Sequence, residues 1–235
     1  MANSSNRYVF CLKWGTKYSS DYVNNLYNMV ERNLAPPYTF ICFTDNTAGI
    51  NPLIKTVTLK DKNLEGWWNK VSILGNPHGM SGTALFLDLD LVIFERIDKF
   101  FEHVPGKFCI IRDFNRHVRP DLKLMNSSVF RFELGTLTQV YEEFMRNQNS
   151  FKKRFQGDQE YMTAVIKDFE FWPDEWVQSY KWEMRDKRDL TYTKTGLNFY
   201  NSADPKVLQT TSIAAFHGKP NPHECTDHWV VQHWR

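Results

Sequence analysis

No apolar run in this sequence approaches the roughly 18 residues that a membrane-crossing helix needs. The most apolar stretch, Ala84 to Phe94, is interrupted by Asp88 and Asp90. Met1 to Asn6 is polar and carries no signal-peptide core, so a cytoplasmic protein without a transmembrane segment is expected. An excess of one charge is also missing. Lys+Arg 29 against Asp+Glu 27 leaves a net charge of +2, too little for bulk attraction to nucleic acid or anionic lipid. Cysteine is sparse, with four in 235 residues and no Cys-x-x-Cys pair. Cys11, Cys42 and Cys109 fall inside apolar runs, where a free cysteine acts as a small hydrophobe, so no disulfide framework is expected. Internal repeats, low-complexity tracts and Gly/Ser linkers are absent. No Gly-x-x-x-x-Gly-Lys-Ser/Thr occurs, which removes P-loop phosphate chemistry.

What is present is the composition of a globular chain, with 42% hydrophobic and 24% charged residues. Arg7 to Trp14 is rich in β-formers and predicts a strand ended by Gly15-Thr16. Tyr22, Val23, Leu26, Tyr27, Met29 and Val30 follow Ser20-Asp21 at helical spacing, and Pro36-Pro37 stops that helix. Further strands are predicted over 38–43, 53–59, 83–87, 108–111 and 128–132, and helices over 67–74, 136–145 and 158–166. Strands alternating with helices predict an α/β fold with a mixed, mainly parallel central sheet flanked by helices. One domain over 1–235 is expected, its donor-binding part about 7–135 and its acceptor and C-terminal part about 136–235.

Ala84 to Phe94 carries the most chemistry. A continuously apolar strand is buried on both faces and cannot easily hold two ionised carboxylates, because an unpaired buried charge costs several kcal/mol. A divalent cation would offset that cost. Asp88 and Asp90 are two apart, so in extended chain they share one side. They also close a predicted strand at its C-terminal end, where open α/β sheets bind ligands. Oxygen ligands without neighbouring thiols favour Mn²⁺ or Mg²⁺. A strand end facing solvent is the other reading of Asp-x-Asp alone.

The order of segments narrows the choice. Gly66-Trp67-Trp68-Asn69-Lys70 precedes Asp88-Leu89-Asp90, and Ile97-Asp98-Lys99-Phe100-Phe101 follows. Then come Ile111-Arg112-Asp113, Asn126-Ser127-Ser128-Val129-Phe130, Gly157-Asp158-Gln159 and His217-Gly218-Lys219-Pro220. This series resembles the GT-A fold nucleotide-sugar glycosyltransferases, and within them glycosyltransferase family 8, the glycogenin and lipopolysaccharide galactosyltransferase group. Ser128 stands where that group usually has glycine, and the His and Lys of the last segment are closer together than in glycogenin-like proteins.

The resemblance implies a single Rossmann-like GT-A domain. The implied reaction is transfer of a hexose from a UDP-sugar to a glycan or other hydroxyl acceptor, with retention at the anomeric carbon. It implies Asp113, Asp158 and Gln159 as catalytic residues around the donor sugar, with Asn126 and Gly218 beside them and Lys219 on the diphosphate. Asp88, Asp90 and His217 are the expected metal ligands. A neutral imidazole is a good third partner for two carboxylates, though His217 could equally be a core-edge histidine. Lys70 is expected to reach donor phosphate or sugar, and Asp45 the uracil or ribose. Either could instead be ordinary surface and turn chemistry.

Trp172, Trp176, Tyr180 and Trp182 could form an acceptor platform, the first three being four apart so that a helix would align them. A satellite core is the alternative. The histidines and Cys225 of the last twenty residues fit no zinc spacing. Two other reaction classes stay open: a sugar nucleotidyltransferase or other phosphoryl-transfer enzyme using the same ion, and a non-catalytic sugar-binding module.

Overall fold

The computed structural model describes residues 6–59, 61, 63–76, 78–184, 191–193, 196–198 and 210–235. The centre is a seven-stranded sheet built from β1 (Arg7–Lys13), β2 (Thr39–Thr44), β3 (Lys55–Thr58), β4 (Thr83–Leu87), β6 (Phe108–Arg112), β7 (Met125–Glu133) and β8 (Phe169–Phe171). Their spatial order is β3-β2-β1-β4-β7-β6-β8. β1 pairs parallel with β2 and β4, β2 with β3, and β6 with β8, while β7 runs antiparallel between β4 and β6. A mixed, mainly parallel sheet was the expectation, and this is one. A smaller sheet joins β5 (Leu91–Ile93), β12 (Ile213–Ala215) and β9 (Val177–Ser179), and β10 (Thr191–Thr193) pairs with β11 (Gly196–Asn198).

The helices are α1 (Ser20–Asn33), α2 (Asn69–Leu74), α3 (Lys99–Glu102), α4 (Thr138–Arg154), α5 (Asp158–Val165) and α6 (His228–His233). α1 forms because Tyr22, Val23, Leu26, Met29 and Val30 make one buried stripe, and its chain turns extended at Leu34 ahead of Pro36-Pro37. Three sequence expectations shift. Residues 67–74 divide into a 3₁₀ turn, Gly66–Trp68, and the short α2. The strand expected over 53–59 shrinks to β3. The helix expected over 136–145 runs on to Arg154 across a kink at Asn147.

β4 divides the two larger of three buried clusters. Leu85 and Leu87 pack on the face shared with α1, β5 and β12, while Ala84 and Phe86 pack on the opposite face with Ile73, Leu74 and Met162. All five β4 residues are buried, so the strand has no polar alternation. The strand order reverses between β1 and β4, since β2 leaves β1 on one side and β4 joins it on the other. A crevice opens there, at the C-terminal ends of the two strands.

Candidate active site

A cleft of about 540 Å³ lies at that crevice, with Asp88, Asp90, Lys70, Asp113, Asn126, Asp158, Gln159, His217 and Gly218 on its walls. Six separate chain segments therefore meet there, as their order in the sequence implies. Two other clefts, at the α4 kink and beside β3, have no carboxylate lining.

Asp88 and Asp90 sit in the turn between β4 and β5. Leu89 between them is 3% exposed and packs inward, which leaves both carboxylates toward the cleft. Lys70, from α2, donates to Asp88 Oδ2 at 2.8 Å and to Ser127 Oγ at 3.2 Å. Its burial favours the neutral amine, but Asp88, Asp158 and Asp90 outweigh that and raise its pKa. Tyr18, just after β1, donates to Asp90 Oδ2 at 2.8 Å. Burial, then the charge of Asp88, pushes the Asp90 carboxyl up to about 6 against the opposing effects of Tyr18 and Lys70. Asp158 opens α5, is raised chiefly by burial, and its buried Oδ2 has no hydrogen-bond partner.

β7 supplies the floor. Its pairing with β6 jumps from Ile110↔Phe130 to Ile111↔Asn126, so residues 127–129 have no partner on β6 while Val129 still pairs with Leu87 of β4. Such a break re-aims side chains at a sheet rim. Asn126, Ser127 and Ser128 all line the cleft. Asp113, 7% exposed, accepts from Asn115 N at 2.9 Å and Nδ2 at 2.8 Å, which fixes the 3₁₀ turn Phe114–His117 beside it.

His217 stacks on Phe114 with centroids 5.3 Å apart, and its Nε2 is 2.6 Å from Ser179 Oγ. Burial, then Lys181 and His117, pushes its pKa down to about 3, so the imidazole is neutral. Among the described residues, no three His, Cys, Asp or Glu side chains converge as a closed metal cage. Asp88 is drawn to Lys70 and His217 to Ser179, so the three expected ligands share the cleft without forming one cluster. The donor set nonetheless fits a hard divalent cation. Two carboxylates crowd one turn, one of them reluctant to ionise, with a neutral imidazole on the same cleft wall.

Several expected residues take other places. Lys219 is 72% exposed on its side chain and pairs with Glu224 rather than facing the cleft. The residue beside the cleft is Lys181, whose Nζ would lie 3.1 Å from a Cβ on Gly218. Gly218 has φ +77°, a conformation that suits glycine, and a side chain there would crowd the ammonium. Lys181 makes no ion pair among the described residues, and burial lowers its pKa. Asp45 accepts from Gly15 N at 2.8 Å, holding the turn after β1 outside the cleft lining.

Trp172, Trp176 and Tyr180 are not an acceptor platform. Trp172 follows β8, Trp176 ends the 3₁₀ turn Asp174–Trp176, and Tyr180 opens the helical turn Tyr180–Met184 after β9, so no one helix aligns them. Trp172 and Tyr180 are each 2% exposed, packed on Phe100 and stacked on Phe216 at 4.9 and 4.3 Å. Trp176 is half-buried against Phe100 and His103. Two of the charges between these aromatics, which suggest a wet surface, are consumed internally: Asp174 pairs with Arg112 and Arg116, and Glu183 with Arg116. Of those aromatics only Trp182 lines the cleft, with Lys181 beside Gly218 at its edge. Lys17, Tyr18, Trp67 and Lys181 are site residues that sequence reasoning missed. The first two follow a strand at the order reversal, which is a legible signal. Lys181 gives none, because a lone lysine is ordinarily solvated.

No family model and no curated protein matches the sequence. Solved structures do match in three dimensions. The galactosyltransferase LgtC, solved with donor and acceptor sugar analogs, superposes with TM-score 0.62 at 10% identity over 96% of this chain and 93% of its own. An active-site variant of LgtC gives 0.61 at 9% identity over the same shares. The glycosyltransferase GlyE of Streptococcus pneumoniae gives 0.58 at 11% identity, over 73% of this chain and 47% of GlyE. The chain has the GT-A glycosyltransferase fold. It spans about half of GlyE and nearly all of LgtC. At these identities the fold is what is shared, and activity must be argued from the cleft.

Proposed function

We propose that this chain is a metal-dependent glycosyltransferase. It moves a hexose from a nucleotide-diphosphate sugar, UDP-glucose or UDP-galactose, to a hydroxyl of a glycan or other acceptor, with retention. The observation that carries this reading is the turn Asp88-Leu89-Asp90 at the strand-order reversal, facing a cleft walled by Asp113, Asn126, Asp158, Gln159 and His217. The reading treats 1–235 as one catalytic domain acting in the cytoplasm, and the four free cysteines suit such a reducing compartment.

In this reading Asp88, Asp90 and His217 hold Mn²⁺ or Mg²⁺. When bound, the ion supplies Lewis-acid stabilisation of the departing diphosphate. Lys70 pairs with Asp88 and holds its carboxylate in place. Lys181, rather than Lys219, adds the second cation toward the phosphates. Asp158, Gln159, Asp113 and Asn126 orient the sugar. The bond from the anomeric carbon to the diphosphate breaks, and the diphosphate takes the electron pair. A bond from that carbon to the acceptor oxygen forms, and the hydroxyl proton ends on the diphosphate.

Titration calorimetry of UDP with and without Mn²⁺ tests the site. Asp90→Asn should weaken Mn²⁺-dependent UDP binding by more than about tenfold, or 1.4 kcal/mol, while circular dichroism stays native. Unchanged binding in a folded variant would sink the assignment. Product analysis separates the reaction classes. Slow turnover of UDP-glucose to UDP and glucose supports glycosyl transfer. UMP with glucose 1-phosphate would mean phosphoryl transfer, and Mn²⁺-dependent binding without any turnover a sugar-binding module.

A further inference from the structure

Trp67 and Trp68 are neighbours in sequence with opposite fates. Trp68 is 8% exposed and stacked on Phe144 at 5.0 Å. Trp67 is 53% exposed, the one of the eight tryptophans left in that state. An indole in water forgoes about 25 cal/mol for each Å² it could bury, and no ring or cation of the described residues covers this one. Yet it is held in place. It lines the cleft, one turn before Lys70 on the same side of the chain. A Cβ on Gly157 would lie 3.0 Å from its Nε1 and 3.3 Å from its Cδ1. Gly157 has φ −168°, extended backbone open to any residue, so the glycine serves space rather than conformation.

The missing side chain lets the indole lie against the start of α5. Gln156, Gln159 and Glu160 border the cleft at that same helix start. One flat apolar face ringed by amide and carboxylate groups matches a pyranose, which offers C–H bonds on its face and hydroxyls around its rim. We propose that Trp67 is the stacking platform of an acceptor subsite, and that the acceptor is therefore a saccharide. A simple alcohol would leave the indole face uncovered. This rests on the glycosyltransferase reading, since only a transferase cleft has a second sugar to place.

The test uses the full chain with Mn²⁺ and UDP, and a panel of methyl glycosides of glucose, galactose and N-acetylglucosamine with their common disaccharides. Saturation-transfer NMR reads binding, and UDP release from the UDP-sugar reads transfer. At least one saccharide should bind the natural chain. Trp67→Ala should raise its Kd and its KM at least tenfold with kcat little changed, and Trp67→Phe should keep both within about threefold. If no saccharide binds while Mn²⁺–UDP does, or if Trp67→Ala binds as the natural chain does, the subsite is overturned and the transferase reading survives. If Mn²⁺–UDP itself fails to bind the natural chain, both fall. Should Trp67→Ala not fold, Trp67→Gln at the same exposed position gives the same two readings.

Discussion

Two lysines divide a role that the sequence pattern assigns to one. Lys219 follows the His-Gly of the last segment, but its ammonium is committed to Glu224. Lys181 has no such commitment among the described residues, and Gly218 leaves it room beside the cleft. A half-buried cation without a carboxylate is a standing receptor for an anion, and charge-assisted bonds are worth about 1.5–3 kcal/mol. Lys181→Ala should therefore raise the Kd for UDP by roughly ten- to a hundredfold and leave that for uridine alone nearly as it was. Lys219→Ala should change neither. Calorimetry with the two ligands separates these outcomes. The pair also marks what a motif conveys. His217 and Gly218 fall in the cleft as their segment implies, whereas which lysine faces it depends on the path of residues 177–184, set by contacts far apart in sequence.

Among the elements, the turn Phe114–His117 and the segment 174–183 depend on one guanidinium. Arg116 is 4% exposed and donates to Glu183 Oε1 at 2.9 Å, to Arg112 O at 2.8 Å and to Val177 O at 2.8 Å. Glu183 in turn accepts from Ser179 N at 2.8 Å, and Ser179 holds His217. Removing one partner of a buried pair leaves the other charge stranded, at about 3–5 kcal/mol. Arg116→Met should lower the unfolding free energy by that order in urea titrations. It should also weaken Mn²⁺–UDP binding, because the ring of His217 loses its anchor chain. Here the sequence misleads for a physical reason. Alternating aromatics and charges over 172–183 read as a wet sugar platform, but Asp174 and Glu183 turn inward to Arg112 and Arg116, and Trp172, Trp176 and Tyr180 fill the space around Phe100 and Phe216. By contrast, β1, α1, β2, β4 and α5 are legible, since their apolar spacing and breakers act within a few residues.

For the whole molecule, the balance of 29 basic and 27 acidic residues means that individual carboxylates, not net charge, set the response to acid. Glu224 is the clearest. Asn221 N–H donates to it at 2.7 Å and Lys219 pairs with it, holding its carboxyl down at about 2. A carboxyl depressed on folding contributes stability above its unfolded pKa of 4.5, and that contribution is lost as pH falls from there toward 2. Glu224→Gln should cost on the order of 1 kcal/mol at pH 7, the worth of a helix-cap bond, and almost nothing near pH 2. Thermal unfolding of both chains across that range checks it. The overall architecture was legible from the alternation of elements and from the apolar run Ala84 to Leu87 of β4. The reversal of β7 was not, because an antiparallel insertion leaves no mark on a strand that is buried on both faces.

That reversed strand bears on the order in which a growing chain can close its sheet. β1 lies inside the sheet, yet its second neighbour begins at Thr83, and β4 in turn waits for β7, which ends at Glu133. Until Glu133 has left the ribosome, β4 presents its β7-side amides and carbonyls unpaired on a strand that is apolar apart from Thr83. An exposed apolar edge of this kind pairs readily with other chains. The nascent protein is thus most vulnerable to aggregation over the roughly fifty residues of synthesis between Thr83 and Glu133, the interval in which its prospective metal turn is also made.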